Sequence, residues 1–111
     1  MGPLLAPAID KLPEAIELLV KGFDPLRIIV FGSHARGEGG PDSDVDLLVV
    51  VRHLGNKRET AVSMTKALRG LCAAIDVVPT DPDEIARRGE IPGDVLRSAL
   101  RDGRAVYERD V

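Results

Sequence analysis

The chain has 111 residues, which suffice for one hydrophobic core and are too few for two, so we expect residues 1–111 to form a single domain. Hydrophobic residues make up 44% and charged residues 30%, and this balance excludes a disordered or fibrous chain. The net charge of −3 and the aromatic content of 3% argue against direct nucleic-acid binding, which requires a basic face or stacking aromatics.

The single cysteine, Cys72, excludes an internal disulfide and is typical of a protein in a reducing compartment. It lies on the apolar side of a helical pattern, so we expect it in the core and not as a nucleophile. The N-terminus has neither the basic nor the long apolar region of a signal peptide. No segment has the length needed to span a bilayer. These features predict a cytoplasmic protein without a membrane segment.

Helical and strand-like patterns alternate along the chain. A first helix is predicted from the helical spacing of Ile9, Leu12, Ile16 and Leu19, with a stop at Gly22. The predicted strands cover residues 28–31, 45–51, 74–78 and 104–107, and a second amphipathic helix through Met64 and Leu68 joins the second strand to the third. Two short helices are predicted to begin at 81–84 and 92–94. This alternation predicts an α/β (α+β) domain.

The ends of the first two strands carry the residues that suggest a chemistry. Strand 28–31 stops at Gly32, and Ser33 can cap a short helix whose backbone N–H groups attract phosphate oxygens. Asp44 and Asp46 lie two residues apart at the start of the next strand, so both side chains leave the same face, roughly 6 to 7 Å apart. Paired carboxylates at this position suit a cation beside a phosphate group.

The strand directions follow from the need to bring Gly32 and Asp44 together. In a parallel pair these residues would lie at opposite ends of the strands, roughly 17 to 20 Å apart, so the first two strands are predicted to be antiparallel. The helix between the second and third strands indicates a parallel crossover. The sheet is therefore predicted to be mixed, with Asp76 beside Asp46 and all three aspartates converging on the Gly-Ser turn.

Asp76 lies inside an apolar run, so we expect it to be buried and to need a partner. Arg27 and Arg36 are alternative partners. Three carboxylates facing one pocket would repel one another and resist ionisation without a cation. Magnesium is the best candidate, because it takes oxygen ligands and is usually held by one or two carboxylates together with substrate phosphates.

At this point the motif resembles a known family. Gly32-Ser33, ten intervening residues and then Asp44-Val45-Asp46 resemble the signature of the DNA polymerase beta-like nucleotidyltransferase superfamily. The internal Ala35-Arg36-Gly37 and the preceding Ser43 resemble its minimal nucleotidyltransferase branch, small proteins often encoded beside a HEPN-domain partner. The order of elements extends the resemblance from about Ile9 to Tyr107.

The resemblance implies a role for each motif residue. Asp44 and Asp46 would bind two magnesium ions, and Asp76 would complete the metal-binding triad and activate the attacking hydroxyl. Gly32 and Ser33 would hold the triphosphate. ATP would be the donor, and AMP would pass to an acceptor hydroxyl, which in the minimal branch can be a tyrosine of the partner HEPN toxin.

Several neighbouring residues have alternative interpretations. The loop lacks the lysine of a Walker-type phosphate loop. Arg36 either contacts phosphate, the role we assign to it, or braces the loop by pairing with an aspartate. The glycines at 37, 39 and 40 either close over bound nucleotide or form a plain exposed loop. His34 is expected to be a surface residue, and Asp42 to form a turn.

Three functions are consistent with this sequence. The first is an adenylyltransferase that acts on a partner protein, as the antitoxin of a HEPN toxin. The second is a non-catalytic module that binds nucleotide and masks its partner. The third is a nucleotidyltransferase for a small alcohol of the aminoglycoside kind. A site built from so short a chain would lie open at one sheet edge, so we expect a partner subunit or self-association to cover it.

Overall fold

The computed structural model describes residues 8–40 and 43–109. Asp42, for which the sequence predicts a turn, lies outside these residues. The main elements in chain order are α1 (Leu12–Phe23), β1 (Arg27–Phe31), β2 (Val45–Val50), α2 (Lys57–Leu68), β3 (Ile75–Thr80), α3 (Pro82–Arg88), α4 (Val95–Asp102) and β4 (Arg104–Glu108). Three short 3-10 turns span Ala8–Lys11, Gly32–His34 and Arg69–Leu71.

Local sequence explains where the helices begin and end. The carboxylate or amide oxygens of Asn56, Asp81 and Asp94 each accept a backbone N–H bond in the first turn of α2, α3 and α4. The predicted stop of helix α1 at Gly22 is wrong, because the helix continues to Phe23. It ends because Asp24 adopts the left-handed conformation, with φ of 47°, which a short polar side chain tolerates.

The four strands form one mixed sheet in the order β3-β2-β1-β4. Strand β1 pairs antiparallel with β2, and β2 pairs parallel with β3. These pairings confirm the predicted fold class and strand directions. Strand β4, whose neighbour the sequence did not predict, pairs antiparallel with β1.

Alternate residues of the strands face two different helical layers, as the period of a pleated sheet requires. Helices α1 and α2 cover one face, and α4 covers the other. The first core contains Ala15, Leu19, Ile28, Val30, Val45, Leu47, Val49, Met64 and Leu68. The second contains Ile29, Leu48, Leu96 and Ala99. Even-numbered residues of β2 and β3 therefore face the α4 side.

Strand β3 lies at the edge of the sheet, and this position corrects its predicted end. Pro79 does not terminate the strand, which continues to Thr80. The carbonyls of Ala74 and Thr80 accept backbone N–H bonds from Val45, the first residue of β2, and from Val51, which follows its last residue. By alternation, the backbone of Pro79 therefore faces away from β2. No strand pairs with that outer edge within residues 8–40 and 43–109. A residue without an N–H group is tolerated there.

Cys72 does not occupy the core position predicted for it. Helix α2 ends at Leu68, and the chain tightens into the 3-10 turn Arg69–Leu71. Cys72 follows in the left-handed conformation, with φ of 51°, and is exposed. The 3.6-residue period that placed it on the apolar side therefore ends before this residue.

None of the helices within residues 8–40 and 43–109 combines the length and the apolar character that a membrane span requires.

A half-buried ion pair ties α2 to α3 at the C-terminal end of β3. The Lys57 Nζ donates to both carboxylate oxygens of Glu84 at 3.0 Å, and the Thr80 hydroxyl donates to Oε1 at 2.6 Å. Burial by itself would raise the pKa of Glu84, but the hydrogen bonds from Thr80 and Lys57, together with the positive charges of Lys57 and Arg88, outweigh it and hold that pKa below its ordinary value of 4.5. The ionised form is therefore the one that the fold stabilises.

We expect Glu84→Gln to lower the free energy of unfolding by roughly 1 to 3 kcal/mol at neutral pH. Because the folded-state pKa is depressed, this contribution is present above pH 4.5 and is lost as the pH falls through the folded value. Urea unfolding should therefore be measured from neutral pH to below pH 4.5. The difference in the free energy of unfolding between Glu84→Gln and wild type should shrink at acid pH. Glu17→Gln, which breaks an exposed pair with Lys21, is the control and should have almost no effect. Equal losses in both variants would contradict this account.

Candidate functional site

The turn after β1 has a backbone that only glycine adopts easily at its first position. Gly32 has φ of 76°, in the left-handed region. The 3-10 turn Gly32–His34 follows, and backbone bonds from Arg36 N to Gly32 O (3.2 Å) and from Glu38 N to Ser33 O (2.9 Å) close it. The turn predicted at Gly32 and Ser33 is therefore present at the end of a strand, with Ser33 half-buried. The predicted capping role of Ser33 is wrong, because the turn begins at Gly32, Ser33 lies within it, and Phe31 precedes it without a side-chain cap bond.

Asp46 lies directly beside this turn. It is in register with Phe31, the last residue of β1. A Cβ atom added to Gly32 would overlap Oδ2 of Asp46. Because position 32 has no side chain, its backbone can lie against the Asp46 carboxylate. The left-handed φ is a second, independent reason for glycine at this position.

The other two predicted carboxylates flank Asp46. Asp76 is its register partner on the parallel strand β3, about 4.8 Å away between backbones. Asp44 lies two residues before Asp46 and is exposed. Asp46 and Asp76 share the face that carries α4, so the predicted juxtaposition of these strands is present.

The expectation that Asp76 is buried is wrong, because it is exposed to solvent. The apolar run around it predicted a strand covered on both sides, but β3 is an edge strand. Asp76 therefore needs no buried partner. Neither Arg27 nor Arg36 pairs with it: Arg27 pairs with Glu108 and Arg36 with Glu38.

The three carboxylates interact electrostatically. Burial raises the pKa of Asp46 above its ordinary value, and the negative charges of Asp76 and Asp44 raise it further, while His34 and Arg36 oppose the rise. Asp46 is thus the member of the group with least access to water and with a like charge on either side. A cation placed among these side chains would relieve both effects.

The donor set suits magnesium better than it suits a metal that requires a closed cage. No group of three His, Cys, Asp or Glu side chains is close enough to enclose a metal within the described ranges 8–40 and 43–109. Magnesium needs no such cage, because it keeps several waters and takes one or two carboxylates together with substrate phosphates. Asp44, Asp46 and Asp76 all carry hard oxygen ligands of the type that this ion prefers, so the chemistry of the residues present fits it.

Arg36 and His34 complete the surroundings of the turn. The Arg36 Nε donates to Glu38 Oε1 at 3.1 Å, and this side chain is 49% exposed. An exposed pair of this kind contributes little stability, so Arg36 is free to exchange Glu38 for another anion. His34 is half-buried, contrary to the surface position predicted for it. The sequence feature that relates to this burial is Gly39, whose missing side chain leaves room for the His34 ring.

A family model described as a nucleotidyltransferase domain matches residues 9–105. The chain belongs to this family. This nucleotidyltransferase domain is 31% identical over 97 residues to a candidate protein adenylyltransferase of Methanocaldococcus jannaschii. The match covers 80% of this chain and 63% of that protein, so the chain spans less than two thirds of its relative's length.

Two solved structures share the fold of this nucleotidyltransferase domain. A crystal structure of a candidate nucleotidyltransferase from Sulfolobus solfataricus superposes with a TM-score of 0.67 at 23% identity, over 92% of this chain and 81% of that one. A crystal structure of a toxin–antitoxin with AMP-PNP superposes with a TM-score of 0.56 at 21% identity, over 88% and 73% of the two chains. At these identities the likeness concerns the fold.

Proposed function

We propose that this nucleotidyltransferase domain transfers AMP from ATP to a hydroxyl group of a partner protein in a magnesium-dependent reaction. The observation that carries the proposal is the pairing of Asp46 with Asp76 on neighbouring strands, against the glycine turn at Gly32. Family membership supports the reaction class. The relative named as a candidate protein adenylyltransferase supports AMP as the transferred group and protein as the acceptor.

In the proposed reaction, the acceptor oxygen attacks the α-phosphorus of ATP and forms a new P–O bond. The bond from that phosphorus to the bridging oxygen of the β-phosphate breaks, and pyrophosphate leaves with the electron pair. The hydroxyl proton passes to a carboxylate base. Asp76 is the candidate base, because its exposed side chain lies next to Asp46 and can meet an incoming acceptor.

The remaining residues bind the donor. Asp44, Asp46 and Asp76 would hold two magnesium ions, which supply positive charge to the attacking oxygen and to the leaving pyrophosphate. The turn at Gly32 and Ser33 would bind the triphosphate through backbone N–H groups and the serine hydroxyl. Arg36 would exchange its exposed pairing with Glu38 for a phosphate oxygen.

The openness of the site favours a macromolecular acceptor. Asp44, Asp76 and Arg36 are all exposed, so a side chain on another protein can approach them without a channel. A pocket for a small molecule usually covers most of its ligand. We therefore propose a tyrosine of a HEPN-domain toxin as the acceptor, with this chain as the antitoxin. The structural neighbour described as a toxin–antitoxin with AMP-PNP supports the toxin–antitoxin part of this proposal, and the HEPN domain and the tyrosine come from the family resemblance.

The test of the proposed reaction is transfer of label from [α-32P]ATP to a co-expressed HEPN-domain protein. We expect label on that protein in the presence of magnesium. The rate of labelling should fall at least about a hundredfold in Asp44→Asn and in Asp76→Asn, which is the size of effect seen when a group that stabilises charge is removed. Asp83→Asn, an exposed acidic residue in the first turn of α3, is the matched control. Labelling that persists in both site variants would exclude this chain as the catalyst.

Nucleotide binding has a separate measurement in thermal unfolding with ATP and magnesium. Ligand at about a hundred times its dissociation constant should add roughly 2.7 kcal/mol of stability. The triple variant Asp44→Asn, Asp46→Asn, Asp76→Asn should lose this gain, because its side chains no longer attract the cation. An equal upward shift in wild type and triple variant would contradict the proposed metal ligands.

A further inference from the structure

His34 lies at the junction between the glycine turn and the loop that returns to the aspartate strand. It ends the 3-10 turn that begins at Gly32. Its side chain is half-buried. The ring contacts the loop on two sides, at Gly39 and at Ser43.

One end of the ring packs on Gly39. A Cβ atom added to Gly39 would overlap His34 Nδ1 and would lie 2.6 Å from both Cγ and Cε1 of the ring. A Cβ atom added to the next residue, Gly40, meets nothing within 4 Å. The two adjacent glycines therefore differ: the imidazole occupies the space beside Gly39 and leaves Gly40 free.

The other end of the ring reaches Ser43. His34 Nε2 lies 3.4 Å from the Ser43 carbonyl oxygen, at the long end of hydrogen-bond distances. Ser43 is itself tied to Gly40, because Gly40 N donates to Ser43 Oγ at 3.0 Å and Ser43 N donates to Gly40 O at 3.1 Å. His34, Gly39, Gly40 and Ser43 thus form one connected unit, which we call the loop bracket.

The loop bracket adjoins both halves of the candidate site. Ser43 directly precedes Asp44, and the following residue, Val45, donates its backbone N–H to the carbonyl of Ala74, just before β3, at 3.0 Å. His34 directly follows Ser33. The imidazole therefore spans the gap between the turn assigned to the triphosphate and the start of the strand assigned to the metal.

We propose that His34 is a positioning residue that fixes the Gly32–Ser33 turn relative to Asp44 by holding Gly39 and Ser43. The inference deepens the proposed function and rests on it for the identity of the ligand. The contact needs a proton on Nε2, which the imidazolium and one neutral tautomer both provide. Glutamine places an amide N–H at a similar reach, so His34→Gln preserves the donor while His34→Ala removes it.

The experiment compares five variants of the full chain by NMR amide exchange without nucleotide. The amides of Gly40 and Ser43 should exchange about tenfold faster in His34→Ala and in Gly39→Ala, because either change opens the loop bracket. Gly40→Ala is the matched control and should stay close to wild type, as should His34→Gln. The double variant His34→Ala, Gly39→Ala should exchange no faster than His34→Ala, since the obstacle to the new methyl group is already gone.

The second measurement is calorimetric titration of the same variants with a non-hydrolysable ATP analogue and magnesium. The dissociation constant of the ATP analogue should rise about fivefold in His34→Ala and Gly39→Ala, and in His34→Gln it should be close to that of wild type. The melting temperature should change little in all three variants. Equal behaviour of Gly39→Ala and Gly40→Ala, additive effects in the double variant, or an unchanged dissociation constant in His34→Ala would overturn the inference. If wild type binds no nucleotide, the proposed function fails, while the exchange rates still decide the role of His34.

Discussion

Asp46→Asn is expected to abolish AMP transfer and to leave the folded chain at least as stable as wild type. Asparagine keeps the shape of the side chain that lies against Gly32 but removes the charge that attracts the cation. We expect the rate to fall on the order of a thousandfold, as for the loss of a central charge-stabilising group. Transfer of label to the co-expressed partner measures this loss.

The stability effect has the opposite direction, because of the sign of the pKa shift. Burial, Asp76 and Asp44 raise the pKa of Asp46 in the fold. A raised folded-state pKa means that its contribution is fully present below the ordinary value of 3.8 and is lost as the pH rises through the folded value. At neutral pH the ionised carboxylate therefore opposes folding, and asparagine removes that opposition.

Thermal unfolding without metal measures this effect. The melting temperature of Asp46→Asn should equal or exceed that of wild type at neutral pH, and the two should converge as the pH approaches about 4. Asp83→Asn on α3 serves as control and should show no such convergence. A clear loss of stability in Asp46→Asn at neutral pH would mean that this carboxylate stabilises the fold and is not a site for a cation.

Gly32→Ala is expected to be much more damaging than Gly37→Ala. The two glycines have nearly the same φ, 76° and 77°, so alanine meets the same backbone strain at each, about 1 to 2 kcal/mol. At position 37 a Cβ atom has nothing within 4 Å, whereas at position 32 it overlaps the Asp46 carboxylate. Gly32→Ala should therefore destabilise by roughly 1 to 3 kcal/mol more.

Activity should separate these glycine variants further. Displacement of Asp46 moves a candidate metal ligand, so Gly32→Ala should lose nearly all AMP transfer, whereas Gly37→Ala should retain most of it. Urea unfolding and label transfer on both proteins give the two readings. Equal stability and equal activity of the two variants would show that the close approach of Gly32 to Asp46 has no bearing on the site.

The sequence predicted the strand arrangement because two independent requirements agreed. Gly32 and Asp44 could meet only if β1 and β2 were antiparallel, and the helix before Asp76 favoured a parallel β2 and β3. Both pairings are present. The register of Asp46 with Asp76 follows from them. The roles of these residues as metal ligands remain a prediction.

The order of the strands was less predictable, and two of the errors arise there. An apolar run such as that of β3 fits an interior strand and an edge strand equally well. The run therefore suggested a buried Asp76 and an end at Pro79, whereas the edge position leaves Asp76 exposed and allows Pro79 inside the strand. Which strand lies at the edge depends on contacts between distant segments.

Side-chain packing within the loop was also beyond the local pattern. The sequence showed glycines at 37, 39 and 40 without a reason for each. The structure separates them: Gly37 has a left-handed backbone, Gly39 lies against His34, and Gly40 has open space. These distinctions depend on where the loop folds back, which a helical or strand period does not encode.

The most direct test of the central claim is paramagnetic NMR with manganese in place of magnesium, in the presence of a non-hydrolysable ATP analogue. We expect the amide signals of Gly32, Ser33, Asp46 and Asp76 to broaden at the lowest manganese concentration. The same titration of Asp46→Asn should show this broadening only at much higher metal concentrations. Broadening centred on Glu84 at the opposite end of β3, or an identical pattern in wild type and Asp46→Asn, would contradict a metal site formed by these aspartates beside the glycine turn.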